Sequence, residues 1–351
     1  MGPPQSGKTT IFNALTSGHQ QTAKVSPHLQ LHRGIVKIPD PKIFQLAQLY
    51  DSKKITLPEI EYIDLVGSLE HEKKSEGEAT AVLKEMDELA VVIGLYKTSL
   101  GLGDVDPVAE SKNIQSELIF LDLLIAEKRV EKSHKQSKVG TSAEEQKEQN
   151  LIKKCKDALD KEIPLRNINF NSEEEKALRG FSFLSAKPIL IILNMAEKEL
   201  NQISALEDKY KAGLSGEKIG LLALCGKLEE ELSNLEEEER QVFMQELGIK
   251  EPATKKLVNS SYNLMNLITF YTANEKEVKA WLLPRGNKAL KAAGTVHSDM
   301  EKGFIKAEVI AADKLIELGS VHHAKEKGQL KLEGKDYIVE DKDVVFFRFN
   351  V

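Results

Sequence analysis

Short continuous apolar runs separated by amphipathic stretches dominate the first part of the chain. Residues 89–95 and 188–193 form two such runs, which are typical of strands buried on both faces of a parallel sheet. Residues 60–63 alternate between apolar and polar side chains and predict another strand, whereas residues 10–15 carry apolar side chains at helical spacing. Strands that alternate with helices in this way predict an α/β fold.

A helical insertion is predicted over residues 108–180. Two apolar stripes at helical spacing flank a polar turn around Gly140, which predicts an antiparallel coiled-coil hairpin with a Lys/Glu-rich surface. The stripes are Ile114, Leu118, Leu121 and Ile125, then Leu151, Ile152, Cys155 and Leu159. The hairpin is either a passive spacer or an interaction surface. Ser172 and Glu175 predict a capping box that opens a further helix to Leu178.

From residue 267 the pattern changes to short strands crossed by helices. The expected strands span residues 267–271, 278–283, 304–310 and 344–349, with helical segments near 288–293 and 311–318. A small mixed sheet results, in which Trp281 and Phe304 are interpreted as core side chains and not as a base-stacking platform. An exposed edge with Lys302 and Lys306 would fit contact with RNA.

Composition narrows the function classes. The chain has 351 residues, which predicts two or three domains, and 49 basic against 55 acidic residues give a net charge of −6. The net negative charge gives the whole chain no electrostatic attraction to nucleic acid, so any contact with RNA requires a local basic patch. Two distant cysteines predict neither a disulfide framework nor a metal site. Without an apolar stretch of about 18 residues or an export signal, we expect a cytoplasmic protein with no membrane contact.

The candidate chemistry begins at the N-terminus. Residues 2–9 read Gly-Pro-Pro-Gln-Ser-Gly-Lys-Thr and fit the phosphate-loop pattern G-x-x-x-x-G-K-[ST], with a predicted helix behind it. Backbone N–H groups in this motif surround phosphate at the positive end of a helix. Lys8 would bridge the β- and γ-phosphates, and the Thr9 hydroxyl would ligate Mg²⁺. A chance glycine-rich turn is the alternative. The predicted nucleotide-binding residues are Gln5, Ser6, Gly7, Lys8, Thr9 and Thr10.

A phosphate loop normally follows a buried strand, and that strand is missing before Gly2. We expect a misplaced start or a truncation. The alternative is a loop held without its central strand, which would bind nucleotide more weakly.

Further along, Asp64 and Gly67 form a D-x-x-G tetrapeptide after the strand at residues 60–63. In a nucleotide switch Asp64 would support the water shell of the metal, and the Gly67 amide would sense the γ-phosphate. Metal binding is therefore predicted at Thr9 and Asp64, and catalysis at Lys8 and Gly67.

A base-binding segment is predicted after the second apolar run. Asn194-Met195-Ala196-Glu197 stands where a G-protein has N-K-x-D, with Glu197 in the acidic position and Met195 in place of the lysine that stacks on the base. These residues do not secure a preference for guanine. A later loop, Leu224-Cys225-Gly226, would complete the base pocket with backbone amides.

The sequence resembles the YchF / Obg-like ATPase family of P-loop proteins along essentially the whole chain. The matching segments are residues 2–10, 64–67, 105–107 and 194–197, and in the C-terminal part 268–273, 277–281, 293–299, 301–309, 333–339 and 347–351. The resemblance implies an Obg-related nucleotide-binding domain, a coiled-coil insertion, a TGS-type β-grasp domain, preference for ATP over GTP, and association with ribosomes. The domain limits that we predict are 1–107 with 181–266, 108–180, and 267–351.

Three positions depart from the family pattern. Gln5 replaces an asparagine that could help to bind a monovalent cation. The first switch segment has no threonine for the Mg²⁺ shell; if the loop is shortened there, Ser26 is the candidate replacement. No glutamine follows Gly67, so the water-positioning group must come from elsewhere; His71 is the nearest candidate, but a solvated loop histidine is the favoured interpretation.

The sequence thus predicts a monomeric, slow Mg²⁺-dependent triphosphatase that prefers ATP, with GTP as the other substrate, and acts as a switch on a ribosomal or RNA partner. The alternative from another class is a binding module that responds to nucleotide and has lost hydrolysis.

Overall fold

The computed structural model of the protein describes residues 1–18, 21–24, 30–66, 77–101, 103–136 and 142–350. Contacts divide the chain into two units, Met1–Gly34 with Tyr62–Leu264 and Ile35–Glu61 with Met265–Val351. The chain therefore leaves the first unit after Gly34 and returns to it at Tyr62. The predicted mixed α/β fold class is confirmed.

The helices and strands are as follows. In chain order the helices are α1 (Lys8–Thr16), α2 (Pro41–Leu49), α3 (Glu78–Glu85), α4 (Tyr96–Ser99), α5 (Pro107–Gln136), α6 (Ala143–Leu159), α7 (Ser172–Leu178), α8 (Ile203–Leu214), α9 (Gly226–Ser233), α10 (Glu237–Glu246), α11 (Ala253–Leu264), α12 (Ala289–Val296), α13 (Ser298–Lys302), α14 (Ala312–Leu318) and α15 (Val321–Glu326). The strands are β1 (Gln21–Lys24), β2 (Gln30–Lys37), β3 (Ile55–Thr56), β4 (Glu59–Val66), β5 (Leu89–Gly94), β6 (Ile189–Asn194), β7 (Ile219–Leu224), β8 (Leu267–Ala273), β9 (Val278–Pro284), β10 (Phe304–Ala311), β11 (Lys331–Glu333) and β12 (Asp343–Phe349).

The core of the first unit is a parallel three-stranded sheet in the order β5-β6-β7. Every residue of β6 is buried, and successive side chains enter opposite cores. Ile189, Ile191 and Leu193 pack in one cluster, while Leu190 and Ile192 pack in the other with Ile11 and Leu257. Both faces need apolar side chains, which explains the continuous apolar run in the sequence.

A further sheet has the order β1-β2-β4, and the sequence boundaries between the two units fall within β2 and β4. Among the described residues the two sheets are separate, because no ladder joins β4 to β5. Met1 lies beside β5: its amine donates to the Ala90 carbonyl at 2.7 Å, and its carbonyl accepts from the Val92 N–H at 2.9 Å. The backbone at the start of the phosphate loop is thereby attached to the parallel sheet.

The helical insertion packs differently from the prediction. Ile114, Leu118 and Leu121 do not face the second helix; they are buried in the core that contains one face of β5 and β6. The contact between α5 and α6 is made by Ile119 and Ala126 of α5 with the predicted α6 stripe, and Ile125, the fourth residue of the predicted α5 stripe, packs against it as expected. The turn around Gly140 lies outside the described residues.

Ion pairs give the direction of the two helices. Glu127 lies 3.9 Å from Lys156, and Arg129 lies 4.0 Å from Glu148, so α5 and α6 run antiparallel. Asp122 of α5 is fully buried and accepts hydrogen bonds from the backbone N–H groups of Leu184 and Ser185. This carboxylate ties the insertion to the segment that leads into β6.

The capping box of α7 is shifted by one residue from the prediction. The N-cap is Asn171, whose side chain accepts from the Glu174 N–H, while the Glu174 carboxylate accepts from the Asn171 N–H. Asn171 and Ser172 are both good N-caps, so the residue type alone did not decide between them. The predicted end of the helix at Leu178 is confirmed.

The second unit is built on a six-stranded mixed sheet with the order β11-β10-β12-β8-β9-β3. The predicted strands and helices of this part agree with the structure to within a few residues. One face of the sheet buries Tyr271 and Val344 with Ile43 and Leu46 of α2, and the other buries Phe270, on which Trp281 stacks. Residues 35–61, assigned from sequence to the nucleotide-binding domain, belong to this unit by their contacts. Within the described ranges, no helix has the length and apolarity to span a bilayer.

Candidate nucleotide-binding site

The phosphate-loop residues lie at the carboxyl ends of the parallel strands. Gly94 of β5 is in register with Asn194 of β6, and Asn194 is in register with Leu224 of β7. A Cβ atom on Gly94 would come within 3.1 Å of the Ser6 Cα, so the end of β5 and the loop pack closely. This edge of an α/β sheet is where ligands bind.

Five consecutive backbone carbonyls of the loop accept hydrogen bonds from side chains. The Lys8 ammonium donates to Gly2 at 2.9 Å and Pro3 at 2.8 Å, Lys97 to Pro4 at 2.8 Å, the Tyr96 hydroxyl to Gln5 at 2.5 Å, and the Asn194 amide to Ser6 at 3.0 Å. The carbonyls are therefore held by surrounding groups. On the opposite side of these peptide units, the N–H groups of Gln5, Ser6 and Gly7 donate no hydrogen bond to the described part of the chain.

The loop backbone has the conformation of an anion nest. Gln5 has φ 54° and Gly7 has φ 91°, both in the left-handed region. Gly7 is the N-cap of α1 and supplies no side-chain hydrogen bond, so the first N–H groups of the helix stay available. A Cβ on Gly7 would collide with the Asn194 amide, so only glycine fits there. Because Pro3 and Pro4 have no N–H, the donors begin at Gln5.

Lys8 is half-buried in the loop. Burial lowers its pKa; the Asp64 carboxylate opposes that effect, and the neighbouring Lys97 ammonium adds to it. A buried ammonium that makes hydrogen bonds only to carbonyl oxygens gains from a nearby anion. Lys8 therefore places at the loop a positive charge that suits an anion.

Thr9 and Asp64 form the candidate metal site. The Thr9 hydroxyl donates to the Asp64 carboxylate at 2.7 Å, and Asp64 is only 6% exposed. A hydroxyl and a carboxylate at the rim of the loop are the oxygen donors that Mg²⁺ prefers, so these residues fit the metal. The His32 Nδ1 atom lies 3.7 Å from the Asp64 Oδ2 atom, and within the described residues it has no hydrogen-bond partner.

The predicted base-binding residues divide into buried and exposed groups. The Asn194 side chain is used internally, since it donates to the Ser6 carbonyl and accepts from the Gly226 N–H at 2.9 Å. Met195 is 1% exposed and packs in the core of the sheet, so its side chain does not face a base. Glu197 is exposed, with its carboxylate 3.8 Å from the Lys227 ammonium.

The last predicted loop is also buried. Leu224 and Cys225 are 0% and 3% exposed, and the Leu224 carbonyl accepts from the Met195 N–H at 2.9 Å. The N–H of Gly226 is taken by Asn194. The structure thus brings Asn194, Gly226 and the phosphate loop together, and among the predicted base-binding side chains Glu197 alone is exposed.

Three predicted positions cannot be placed, because Gly67, Ser26 and His71 lie outside the described residues. The structure places three further side chains at the loop or beside Asp64 that were not predicted as site residues: Tyr96, Lys97 and His32. For Tyr96 and Lys97 a signal was present, since they directly follow the apolar run of β5, where residues at a carboxyl strand end reach a ligand site.

Comparisons with known proteins agree with this architecture. A family model for the C-terminal part of YchF GTPases, described as a protein of unknown function (DUF933), matches residues 267–350. The ribosome-binding ATPase YchF of Bacillus subtilis is 36% identical over 365 residues, covering 100% of this chain and 98% of the relative. The protein of the same name from Escherichia coli O157:H7 is 34% identical over 358 residues, with the same coverage. The YchF GTPase structure of Schizosaccharomyces pombe matches with TM-score 0.76 and 25% identity, covering 99% of this chain and 96% of that one.

Proposed function

Because the chain belongs to the YchF family, we propose that it is a slow, Mg²⁺-dependent nucleoside triphosphatase that prefers ATP over GTP and associates with the ribosome or RNA. It acts in the cytoplasm as a monomer, and the bound nucleotide controls its association with the ribosome or RNA. The relatives are named ribosome-binding ATPases and the structural neighbour a GTPase, which supports nucleotide hydrolysis.

One observation carries the nucleotide proposal: side chains take the carbonyl groups of residues 2–6, while the N–H groups at the start of α1 have no cap. A chance glycine-rich turn would not need four separate side chains to orient its carbonyls. With the helix dipole behind it, such a loop is suited to phosphate.

In the proposed reaction, water attacks the γ-phosphorus and the bond to the bridging oxygen breaks, giving the nucleoside diphosphate and phosphate. The loop N–H groups and the Lys8 ammonium stabilise phosphate charge, Thr9 would ligate Mg²⁺, and Asp64 would orient the water shell of the metal. Bound Mg²⁺ supplies further neutralising charge. Gly67 remains the proposed γ-phosphate sensor. Unassisted switch proteins turn over at about 10⁻⁴ to 10⁻² s⁻¹, so we expect a timer and not a metabolic enzyme.

The domain plan belongs to the same proposal. Residues 108–180 would form the insertion and residues 267–351 a TGS-like domain that reads the partner. Glu197 is proposed to lie on the base side of the site, since its carboxylate is exposed and its contact with the Lys227 ammonium is a solvent-exposed one at 3.8 Å.

The Lys8→Ala variant tests the triphosphatase proposal. We expect release of phosphate from ATP to fall by about 10²-fold or more, because the half-buried ammonium of the loop motif is lost. Phosphate release is measured over hours beside the wild type and Lys153→Ala, which removes an exposed lysine from α6. Equal rates in wild type and Lys8→Ala would contradict hydrolysis at this site, and nucleotide binding without phosphate release would favour the non-hydrolysing binding module.

Two further measurements address the base and the partner. Calorimetric titration with non-hydrolysable ATP and GTP analogues is expected to show tighter binding of the ATP analogue; binding of the GTP analogue alone would contradict the proposed preference. Co-sedimentation with ribosomes at two salt concentrations is expected to show nucleotide-dependent association. A contact made through a basic patch would weaken as salt rises.

A further inference from the structure

A second lysine, outside the phosphate-loop motif, lies at the same loop as Lys8. Strand β5 ends at Gly94, and the chain passes through Leu95, which is 8% exposed, into the short helix α4 that begins with Tyr96 and Lys97. Glycine at position 94 allows this turn to approach Ser6 closely, since a Cβ there would lie 3.3 Å from the Ser6 carbonyl oxygen. The side chains of α4 therefore begin next to the loop.

Tyr96 fixes α4 on the loop. Its hydroxyl donates to the Gln5 carbonyl at 2.5 Å, and its ring lies 3.9 Å from where a Cβ atom of Gly7 would stand. The tyrosine thus binds the carbonyl of Gln5 and lies beside Gly7, the other left-handed position of the loop. Because the next residue in the chain is Lys97, its backbone is positioned by this contact.

The two ammonium groups lie on neighbouring carbonyls. The Lys8 Nζ atom is 2.8 Å from the Pro3 carbonyl oxygen, and the Lys97 Nζ atom is 2.8 Å from the Pro4 carbonyl oxygen. Their mutual repulsion is one of the causes that lower the pKa of Lys8. The Asp64 carboxylate offsets part of this repulsion, and a bound polyphosphate would offset more of it.

Lys97 also lacks the usual acidic partner. Among the residues that the structure describes, no carboxylate forms a salt bridge with Lys97. By contrast, Lys227 at the start of α9 lies near Glu197 and Glu231. Within the described residues, the only hydrogen bond of the Lys97 ammonium is to the Pro4 carbonyl oxygen. This acceptor is neutral, and the flexible lysine side chain can exchange it for a charged acceptor. The charge of Lys97 is thus available to a ligand of the loop.

We propose that Lys97 is a second catalytic cation of the site, whose ammonium leaves the Pro4 carbonyl and binds the terminal phosphate of the nucleoside triphosphate. This inference rests on the proposed function. As the water oxygen bonds to the γ-phosphorus, the bond to the β–γ bridging oxygen breaks and its electron pair stays on the diphosphate. One proton of the water passes to an oxygen of the γ-phosphate, so the product leaves as dihydrogen phosphate. Lys97 stays protonated throughout and stabilises the charge on the γ-phosphate oxygens, which is the role that an added arginine has in related switches.

The test compares Lys97→Met, which keeps the length of the side chain and removes its charge, with Lys97→Arg, which keeps the charge. We expect Lys97→Met to lower kcat for ATP about 10²-fold with a smaller change in KM, and Lys97→Arg to retain most of the rate. Lys153→Met on α6 is the matched control for loss of a lysine, and circular dichroism checks that each variant is folded.

A binding measurement separates a contact with the terminal phosphate from a general effect on the loop. Lys97→Met is expected to weaken binding of a non-hydrolysable ATP analogue several-fold while ADP binding changes by less than twofold. Equal weakening for both ligands, or a kcat within twofold of wild type, would overturn the proposal. If wild-type protein released no phosphate, the proposed function would fail, and the ATP-analogue to ADP comparison would still decide whether Lys97 contacts the terminal phosphate.

Discussion

Asn194 shows how a single side chain can join two loops of a binding site. Its amide N–H₂ group donates to the Ser6 carbonyl, and its amide oxygen accepts from the Gly226 N–H. Both ends of the amide are therefore used, and the side chain is 4% exposed. From the sequence, Asn194 was expected to read the base; the structure shows that it holds the phosphate loop against the start of α9.

Replacing Asn194 with alanine is expected to affect stability and nucleotide binding together. The Ser6 carbonyl and the Gly226 N–H would each lose a buried partner, which lowers the free energy of unfolding by about 2 kcal/mol or more. Nucleotide affinity would fall as well, because the loop is no longer held in its nest conformation. Urea unfolding followed by circular dichroism and calorimetric titration with an ATP analogue measure the two effects.

The control for Asn194 is Asn150→Ala on α6, where the asparagine is exposed and accepts from Gln146. Its stability should stay within about 0.5 kcal/mol of wild type. An Asn194→Ala protein with unchanged affinity and stability would show that the loop does not depend on this amide.

At the scale of elements, periodicity predicted the helix α5 but not the direction in which it packs. The four- and three-residue spacing of Ile114, Leu118 and Leu121 is equally satisfied by a partner helix and by a sheet face. The structure buries these residues against the parallel sheet and uses Ile119 and Ala126 for α6. Because α5 has apolar residues on two faces, tertiary packing decides which face contacts the sheet and which contacts α6. The local sequence does not contain that information.

Two large apolar side chains on α5 test this packing. Leu118 is fully buried, whereas Phe120, two positions along the same helix, is 54% exposed. We expect Leu118→Ala to lower the free energy of unfolding by about 2–5 kcal/mol, because it leaves a cavity in the core below the sheet. Phe120→Ala should change it much less. Urea unfolding by circular dichroism measures both, and comparable losses in the two variants would contradict the observed burial.

Some residues of the candidate site can be recognised from local sequence motifs, and others only from the tertiary structure. Residues 2–9 and Asp64 were recognisable because contiguous motifs encode them, and the structure joins Thr9 to Asp64. Tyr96 and Lys97 form no motif, and they reach the loop only because β5 ends beside it. The loop and the contact between Thr9 and Asp64 therefore follow from motifs in the sequence, and metal binding by this pair stays a prediction. The side chains that orient the loop carbonyls are evident only from the fold.

At the scale of the whole molecule, the second unit is assembled from two distant stretches of sequence. Residues 35–61 supply α2 and β3, and Asp40 at the N-cap of α2 accepts from the Tyr271 hydroxyl and, at 2.9 Å, from the Lys342 ammonium. No local pattern in residues 35–61 indicated this, since the partners of Asp40 lie more than two hundred positions further along the chain. The C-terminal part alone is therefore incomplete.

The isolated segment 265–351 is accordingly expected to fold poorly. It lacks Ile43 and Leu46, which are both fully buried, and without Asp40 the buried Tyr271 hydroxyl has lost its acceptor. Each missing apolar side chain is worth about 2–5 kcal/mol, a large part of the stability of a small domain. Trp281, the only tryptophan in the chain, reports on this unit by its fluorescence during urea unfolding.

We expect no cooperative fluorescence transition for 265–351 alone and a cooperative one when residues 35–61 are joined to it by a long glycine-serine linker. In the joined chain, Leu46→Ala should lower the denaturant midpoint, while Phe44→Ala, which truncates a side chain that is 52% exposed on the same helix, should leave it nearly unchanged. The two outcomes separate a specific contribution of α2 from a general effect of added length. If 265–351 alone unfolded at the same midpoint as the joined chain, residues 35–61 would not be part of this folding unit.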